Sequence, residues 1–298
     1  MKSRSRSKTG YRELAELRVK DVGKAGIERG PYQDLYIYLL KGLVGQNDEP
    51  NLGAAFLGNW VEDDSSFLFF GSPADKEVGR LLKTRPELEL IEAHYFTYEQ
   101  WQGQELKAFR VAGPPWEIKS AGKDGLQIVL DPGVVFGNGL HPTTRDCLKA
   151  LAFARKQSPF TRVLDLGTGT GVLALAAALL GAEGVLAVDI NPLCVRTAIY
   201  NVELNGLGET IQVVHGSAEG FIHEPADLVV ANIHHEVIER LLNSGGFSGT
   251  KRFIISGLMR SQFRDVIAWL ETNQFLILRE WDHEMTWFTL LAKKEIGK

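Results

Sequence analysis

The stretch that most constrains this chain is Val163-Leu-Asp-Leu-Gly-Thr-Gly-Thr-Gly171. Its opening residues read as a buried strand, and glycines at every second position then demand a sharp turn. The Ala- and Leu-rich run from Val172 to Leu180 follows as a helix. Glycine lets the backbone turn tightly and lie against a ligand that side chains would obstruct. The N–H groups that open the helix are free to meet polar ligand atoms. A dinucleotide loop carries G-x-G-x-x-G. Here Val172 stands where that pattern needs its last glycine, so Gly167, Gly169 and Gly171 form a G-x-G-x-G turn instead.

The next strand, Gly184-Val-Leu-Ala-Val-Asp-Ile190, ends in Asp189. A carboxylate at the tip of a second strand is placed to accept both hydroxyls of a ribose. Together the turn and Asp189 resemble the loop of Rossmann-like (class I) methyltransferases, which implies S-adenosyl-L-methionine as cofactor.

At 298 residues the chain can bury a substantial core, and two domains are expected. Hydrophobic residues make up 44% and charged residues 23%, the balance of a soluble globular protein. No apolar run approaches the roughly 18–20 residues of a membrane span. Met1 to Lys8 is basic and Ser-rich with no apolar stretch behind it, so it is not read as a secretory signal. Cys147 and Cys194 stand apart without metal spacing, as reduced thiols do, and a cytoplasmic location is expected. A net charge of −4 argues against direct nucleic-acid binding and suits a basic protein substrate.

Residues 1–97 read as an N-terminal α+β substrate-recognition domain. A short helix is expected over Tyr11 to Val19. Strands are expected over Asp34 to Leu40, Ala55 to Val61, Ser66 to Phe70 and Leu88 to Phe96. A helix over Pro73 to Lys83 turns Val78, Leu81 and Leu82 to one face. The rhythm predicts a small antiparallel sheet. Residues 98–125, with Trp101, Phe109, Trp116 and Pro114-Pro115, read as a partly packed linker, and 126–298 as the S-adenosylmethionine-binding domain.

The strand Leu126 to Leu130 runs into Asp131-Pro-Gly-Val-Val-Phe-Gly-Asn-Gly-Leu-His-Pro-Thr-Thr144. So dense a run of Gly and Pro reads as a ligand clamp, or as a turn before a helix over Thr144 to Phe153. Beyond the glycine loop, strand and helix alternate with short joints, which predicts a parallel, doubly wound sheet. Helices are expected over Pro192 to Leu204, Glu236 to Leu242 and Ser261 to Leu270. Strands are expected over Ile211 to Val214, Asp227 to Ala231, Phe253 to Ser256, Phe275 to Glu280 and Met285 to Ala292. The fold class is α/β, a Rossmann-like methyltransferase sheet with a smaller N-terminal α+β domain. Ligands of such sheets lie outside the carboxyl ends of the strands, where Gly167, Asp189, Ser217 and Asn232 are all expected.

These residues, with Phe136-Gly-Asn-Gly-Leu-His-Pro-Thr-Thr144, resemble the ribosomal-protein methyltransferase family PrmA from about residue 98 onward. The F-G-x-G-x-H-P-T-T loop is the most specific piece. Asn232-Ile233 matches the family's Asn-Ile motif, and Ser256-Gly257 its serine-glycine pair. The resemblance implies methylation of amino groups, chiefly lysines, on the eleventh protein of the large ribosomal subunit. It also implies that Thr143 or Thr144, Gly167, Asp189 and Asn232 hold the cofactor, and Thr168, Gly169 and Ile190 are grouped with them. The chain departs from the family at Asn138, where Thr is common, and at His234, where Leu follows Asn-Ile. The segment before residue 98 is longer than the family's recognition domain.

Methyl transfer from a sulfonium is an in-line displacement on an activated carbon, so orientation and desolvation are the tasks left to the protein. A lysine must first lose its proton, against a free pKa of about 10.4, and burial in an apolar channel lowers that value. Asn232, through its side-chain or backbone carbonyl, is placed to accept an N–H bond and aim the lone pair; the alternative is a structural cap of the strand end. His234 is a candidate proton acceptor, with His235 beside it, or else a surface or helix-capping histidine. His141 reads as a loop-shaping residue. Asp165 either braces the glycine loop or meets the cofactor's amino group through water. Ser217 and Glu219 follow the third strand, where adenine lies in this fold. Phe136 either covers the adenine or fills the core.

No metal site is expected, because the seven histidines are scattered without ligand spacing. Neither a nucleophile elbow nor a phosphate loop occurs. Other readings are a methyltransferase for another protein, a small molecule or nucleic acid, or a non-catalytic S-adenosylmethionine-binding protein. The nucleic-acid version is weakened by Ile-His-His following Asn232, where many such enzymes carry Asn-Pro-Pro-Tyr.

Overall fold

The computed structural model describes residues 34–45, 47–62, 64–97, 109–113, 117–118, 126–131, 133, 135–137, 139 and 141–295. The helix expected over Tyr11 to Val19, the residues Trp101, Trp116 and Pro114-Pro115, and Asn138 lie outside them. The described residues divide into two compact units, 34–97 with 191–193 in one, and 109–190 with 194–295 in the other.

The first unit holds β1 (Asp34–Lys41), β2 (Phe56–Glu62), β3 (Ser65–Phe70), α1 (Asp75–Thr84) and β4 (Glu89–Thr97). The strands pair in the order β2-β3-β1-β4 and every pairing is antiparallel. The helix begins later than Pro73, with Asp75 and Glu77 in its first turn, where carboxylates complement the helix dipole. Val78 and Leu81 are buried against Tyr38, Leu40, Leu68 and Phe70, with Leu82 packed at the margin. The Tyr38 hydroxyl accepts from the Ala74 N–H at 2.9 Å, tying the helix entry to the sheet.

The second unit opens with β5 (Phe109–Gly113), β6 (Glu117–Ile118) and β7 (Leu126–Leu130), an antiparallel trio in the order β6-β5-β7. Two of these strands lie within residues 98–125. The main sheet follows: β8 (Arg162–Leu166), β9 (Gly184–Asp189), β10 (Ile211–His215), β11 (Leu228–Asn232), β12 (Arg252–Leu258), β13 (Phe275–His283) and β14 (Trp287–Lys294). Its order is β10-β9-β8-β11-β12-β14-β13. β8 to β12 pair in parallel, and β14 is antiparallel to both neighbours.

The helices are α2 (Pro142–Gln157), α3 (Val172–Leu179), α4 (Pro192–Leu204), α5 (Ala218–Phe221), α6 (His235–Asn243) and α7 (Arg260–Thr272). They cover both faces of the sheet, as a doubly wound fold requires. Val163, Val185, Val230 and Ile254 pack with residues of α2, α3 and α4. The alternate positions Leu164, Leu166, Val229 and Ile255 pack with α6 and α7 through Ile238, Leu241, Phe263 and Val266.

Three local differences from the sequence reading have physical causes. α2 starts at Pro142, two residues before the expected Thr144, because His141 serves as its N-cap and proline is suited to the first helical turn. Asp227, expected to begin a strand, instead precedes β11 and accepts from the Thr161 and Arg162 N–H groups, both at 3.1 Å. Met285 is in a turn and not in the last strand: Glu284 and Met285 take φ of 51° and 57°, and the Thr286 N–H donates to the His283 carbonyl at 3.0 Å. Two consecutive positive-φ residues are what a tight hairpin needs to match the twist of its strands.

Candidate active site

The chain winds from β8 outward to β10, then returns to β11 on the other side of β8. The carboxyl ends of β8 and β11 therefore flank the point where the strand order reverses, the place where open α/β sheets bind ligands. Gly167 follows β8 and Ile233 follows β11. A Cβ built on Gly167 would lie 2.0 Å from the Ile233 Cγ2, so only glycine fits at this wall of the crevice.

The glycine turn is fastened on several sides. Gly167, Gly169 and Gly171 all take positive φ (71°, 55° and 84°), which side chains disfavour. The N–H groups of Gly167 and Thr168 both donate to the Val188 carbonyl of β9, at 2.8 and 3.0 Å. The Asp189 Oδ2 accepts the Gly169 N–H at 2.9 Å. Asp189 thus braces the loop as well as standing at the tip of β9, beside the exposed Ile190.

Asp165 is buried, and its Oδ2 accepts the Thr168 hydroxyl proton at 2.6 Å while its Oδ1 makes no hydrogen bond. Burial pushes this carboxyl up to about 7, against the pull of the Thr168 hydroxyl and with the Asp189 charge adding to the rise. Asp165 thus ties the Thr168 side chain back to the end of β8.

The segment before α2 closes on the same loop. The Thr170 N–H donates to the Phe136 carbonyl at 3.1 Å, and its hydroxyl to the Gly137 carbonyl at 2.7 Å. A Cβ on Gly169 would lie 2.4 Å from the Phe136 carbonyl oxygen, so the two loops touch backbone to backbone. Phe136 itself is 45% exposed, which removes the alternative that it fills the core. Its ring lies 5.2 Å from that of His141, and the Trp287 ring meets His141 edge-on at 5.4 Å. Thr143 and Thr144 are both buried in the first turn of α2, and the Thr144 hydroxyl has no partner.

Asn232 ends β11 in register with Ser256 of β12, and its Nδ2 reaches the Thr143 Oγ1 at 3.4 Å. The Ser256 hydroxyl lies 3.4 Å from the Thr143 carbonyl and 2.5 Å from the Thr289 hydroxyl. His234 is exposed as the N-cap residue of α6, without a side-chain capping bond, and His235 is the first residue of that helix. Ser217 stands at the N-cap position of α5 beyond β10, without a side-chain capping bond, two residues before Glu219, which pairs with Arg240 at 2.8 Å. Direct hydrogen bonds join Thr168 to Asp165, Gly169 to Asp189 and Asn232 to Thr143. Ser217 and Ile190 flank this cluster only through backbone, the Gly216 N–H donating to the Asp189 carbonyl at 2.9 Å, and His234 follows Ile233 at the end of β11.

Sequence reasoning passed over Thr170, Thr289, Trp287 and Asn201. Asn201 is fully buried: its Nδ2 donates to the carbonyls of Asp131 and Thr170 at 2.8 and 2.9 Å, and its Oδ1 accepts the Asp131 N–H at 2.8 Å. A polar residue beside Val202 on the inward stripe of α4 was its visible signal.

These features fit S-adenosylmethionine. A buried carboxylate oxygen lacks a partner, glycines clear a backbone wall, and the carboxylate of Asp189 stands at the strand tip where a ribose is held in this fold. Among the described residues, no group of three or more His, Cys, Asp or Glu is arranged to hold a metal ion.

Residues 96–295 match the family described as ribosomal protein L11 methyltransferase (PrmA). The chain belongs to this family. It is 40% identical over 189 residues to the ribosomal protein L11 methyltransferase of Geobacillus kaustophilus, covering 61% of this chain and 58% of that protein. The Geobacillus thermodenitrificans protein of the same name is 42% identical over 172 residues, 55% of this chain and 53% of the relative. The chain thus spans less than two thirds of the length of these relatives. The solved ribosomal protein L11 methylase from Lactobacillus delbrueckii subsp. bulgaricus superposes with a TM-score of 0.53 at 32% identity, over 60% of this chain and 91% of that one. The PrmA match takes in the glycine loop, Asp189, Asn232 and the F-G-x-G-x-H-P-T-T segment, while residues 34–95 lie outside it.

Proposed function

We propose that this chain is an S-adenosylmethionine-dependent methyltransferase acting on lysine amino groups of a ribosomal protein, L11 being the substrate named for its family. The observation that carries the reading is the crevice between β8 and β11, where Gly167 and Ile233 form one wall and the Phe136–Gly137 segment is hooked onto the glycine turn. When bound, S-adenosylmethionine supplies a methyl group on a positively charged sulfur. Gly167, Thr168, Gly169 and Asp165 hold its polar end, Asp189 and Ile190 its ribose, and Ser217 and Phe136 its adenine. Thr143, Thr144 and Asn232 complete the cradle.

The protein's chemical task is to receive a neutral amine. An apolar approach disfavours the ammonium form of a lysine, and the Asn232 carbonyl accepts one N–H so that the lone pair points along the line of displacement. His234, exposed just beyond Ile233, is the candidate acceptor for the departing proton. Residues 1–97 select the protein substrate, 98–125 link them to the rest, and 126–298 hold the cofactor. No helix among the described residues is long and apolar enough to cross a membrane. The enzyme is assigned to the cytoplasm, where ribosomal proteins are made.

The test is radiolabelled methyl transfer from S-adenosylmethionine into purified L11 and into an extract of cells lacking this protein, resolved by size and by mass spectrometry. Label on L11 lysines is the expected result. Label on another protein reassigns the partner, and label confined to small molecules overturns the protein-substrate reading. Cofactor binding without any transfer leaves a binding protein.

A further inference from the structure

His141 has no part in the reading above, yet it begins a hydrogen-bond chain that ends on Asn232. As the N-cap residue of α2 it accepts the Thr143 N–H on Nδ1 at 3.4 Å, and the same nitrogen lies 2.7 Å from the Thr143 Oγ1. A nitrogen that accepts from the backbone carries no proton, so the Thr143 hydroxyl is the donor across the shorter contact. Its only proton is then committed, and Oγ1 has lone pairs alone to offer. Asn232 Nδ2, at 3.4 Å, can donate to it, whereas Asn232 Oδ1 in the same place would face another acceptor. The carboxamide is therefore held with its oxygen turned away from Thr143. That oxygen lies on the side of Gly257, whose φ is +83° and where a Cβ would come within 3.3 Å of Oδ1.

We propose that His141 is a positioning residue: through the Thr143 hydroxyl it sets which end of the Asn232 carboxamide is offered to the ligand. The proposal rests on the reading of Asn232 as a ligand-binding residue. Protonation of His141 reverses the chain. The imidazolium Nδ1–H donates to Thr143 Oγ1, which frees the hydroxyl proton to turn to Asn232 and meet the carboxamide oxygen, leaving the NH2 toward the crevice. The positive charge also sits at the N-terminus of α2, against the helix dipole.

The surroundings hold the neutral form. The imidazole lies between the rings of Phe136 and Trp287. Burial, and to a smaller degree His283 of β13, keep its pKa below the usual histidine range. The nearby cation in α2, Arg145, is directed to the Gly139 carbonyl at 3.4 Å. The functional orientation of Asn232 thus persists through neutral pH and inverts in acid.

The test uses the full isotope-labelled chain without ligand. The His141 imidazole and the Asn232 side-chain amide are followed by NMR between about pH 5 and 8, the range in which histidines titrate. The expected result is an Nε2–H tautomer at neutral pH and an Asn232 amide that shifts along the His141 titration. In His141→Asn, which keeps a capping oxygen, and in Thr143→Val, the shift should become independent of pH, while Thr143→Ser should retain it. An amide flat in the wild type, or still titrating in Thr143→Val, overturns the proposal.

Calorimetry with S-adenosylmethionine supplies the second arm. Wild-type affinity should fall about tenfold at acid pH, the size of one hydrogen bond, and His141→Asn should show no such fall. An equal acid loss in His141→Asn overturns the proposal as well. Failure of the wild type to bind at any pH overturns the assigned function instead, and the ligand-free titration still decides the role of His141.

Discussion

Gly167 and Ile233 approach so closely that a side chain at residue 167 would lie 2.0 Å from the Ile233 Cγ2. The Cγ2 methyl hangs directly from a branched Cβ and cannot swing clear, and residue 167 takes a φ of +71° that only glycine adopts without strain. Gly167→Ala should therefore weaken S-adenosylmethionine binding by more than tenfold and lower stability by about 1–2 kcal/mol. Calorimetry and thermal unfolding measure the two losses. Unchanged affinity would remove Gly167 from the cofactor wall.

Asp165 should make stability depend on pH in an unusual direction. Its folded value of about 7 lies above the roughly 3.9 of an unfolded aspartate, so over that window the folded state holds a proton that the unfolded state has released. The stability this brings is full below about pH 4 and is lost as pH rises through about 7. In Asp165→Asn that loss is absent, because the amide never ionises. Melting temperatures of the two proteins should diverge from acid to neutral pH, with the variant gaining. Parallel curves would mean that the carboxyl is ionised in the folded protein.

Asn232→Ala should leave the fold intact, since the residue is partly exposed at a strand end and, among the described residues, makes one long side-chain bond. Turnover should fall by ten- to a hundredfold, about 1.4–2.8 kcal/mol of transition-state stabilisation, in a radiolabel assay with L11. Wild-type turnover would return Asn232 to a structural cap.

Asp189→Ala removes both the candidate ribose acceptor and the partner of the Gly169 N–H. Cofactor affinity should drop at least a hundredfold, about 2.7 kcal/mol, as expected when charge-assisted hydrogen bonds are lost. Retained affinity would show that the ribose is held elsewhere.

Arg252 gives a purely structural prediction. Its guanidinium donates to the carbonyls of Ala154, Ser158 and Pro159 at 3.2, 2.9 and 2.9 Å, closing the C-terminal end of α2. Arg252→Met removes this shared donor, although the Ala154 carbonyl keeps the Ser158 N–H at 3.1 Å, and should cost about 1–3 kcal/mol, read as a lower denaturant midpoint.

What could be read in the sequence was whatever rests on local periodicity or backbone demand. The alternating strands and the G-x-G-x-G turn announced the doubly wound sheet, because each strand had to be buried on both faces and each glycine had to take a positive φ. Contacts across long separations were invisible. Asn201 meets Asp131 and Thr170 at separations of 70 and 31 residues, and no periodic pattern encodes such a tie. The hairpin at Glu284-Met285 was misplaced because neither residue favours positive φ; the pairing of β13 with β14 imposes it. The start of α2 was missed because histidine is not among the preferred capping residues.

The last of the described strands, β14, does not lie at the edge of its sheet but slots between β12 and β13. A growing polypeptide that has already delivered the glycine loop, Asp189 and Asn232 still lacks Thr289, the hydroxyl partner of Ser256, and Trp287 beside His141. Until those residues emerge, β12 exposes a row of unpaired backbone groups flanked by Phe253, Ile254 and Ile255, an invitation to sticky pairing with other nascent chains. Emergence of β14, rather than arrival of the glycine motif, is thus the event that brings Thr289 to Ser256 and Trp287 to His141.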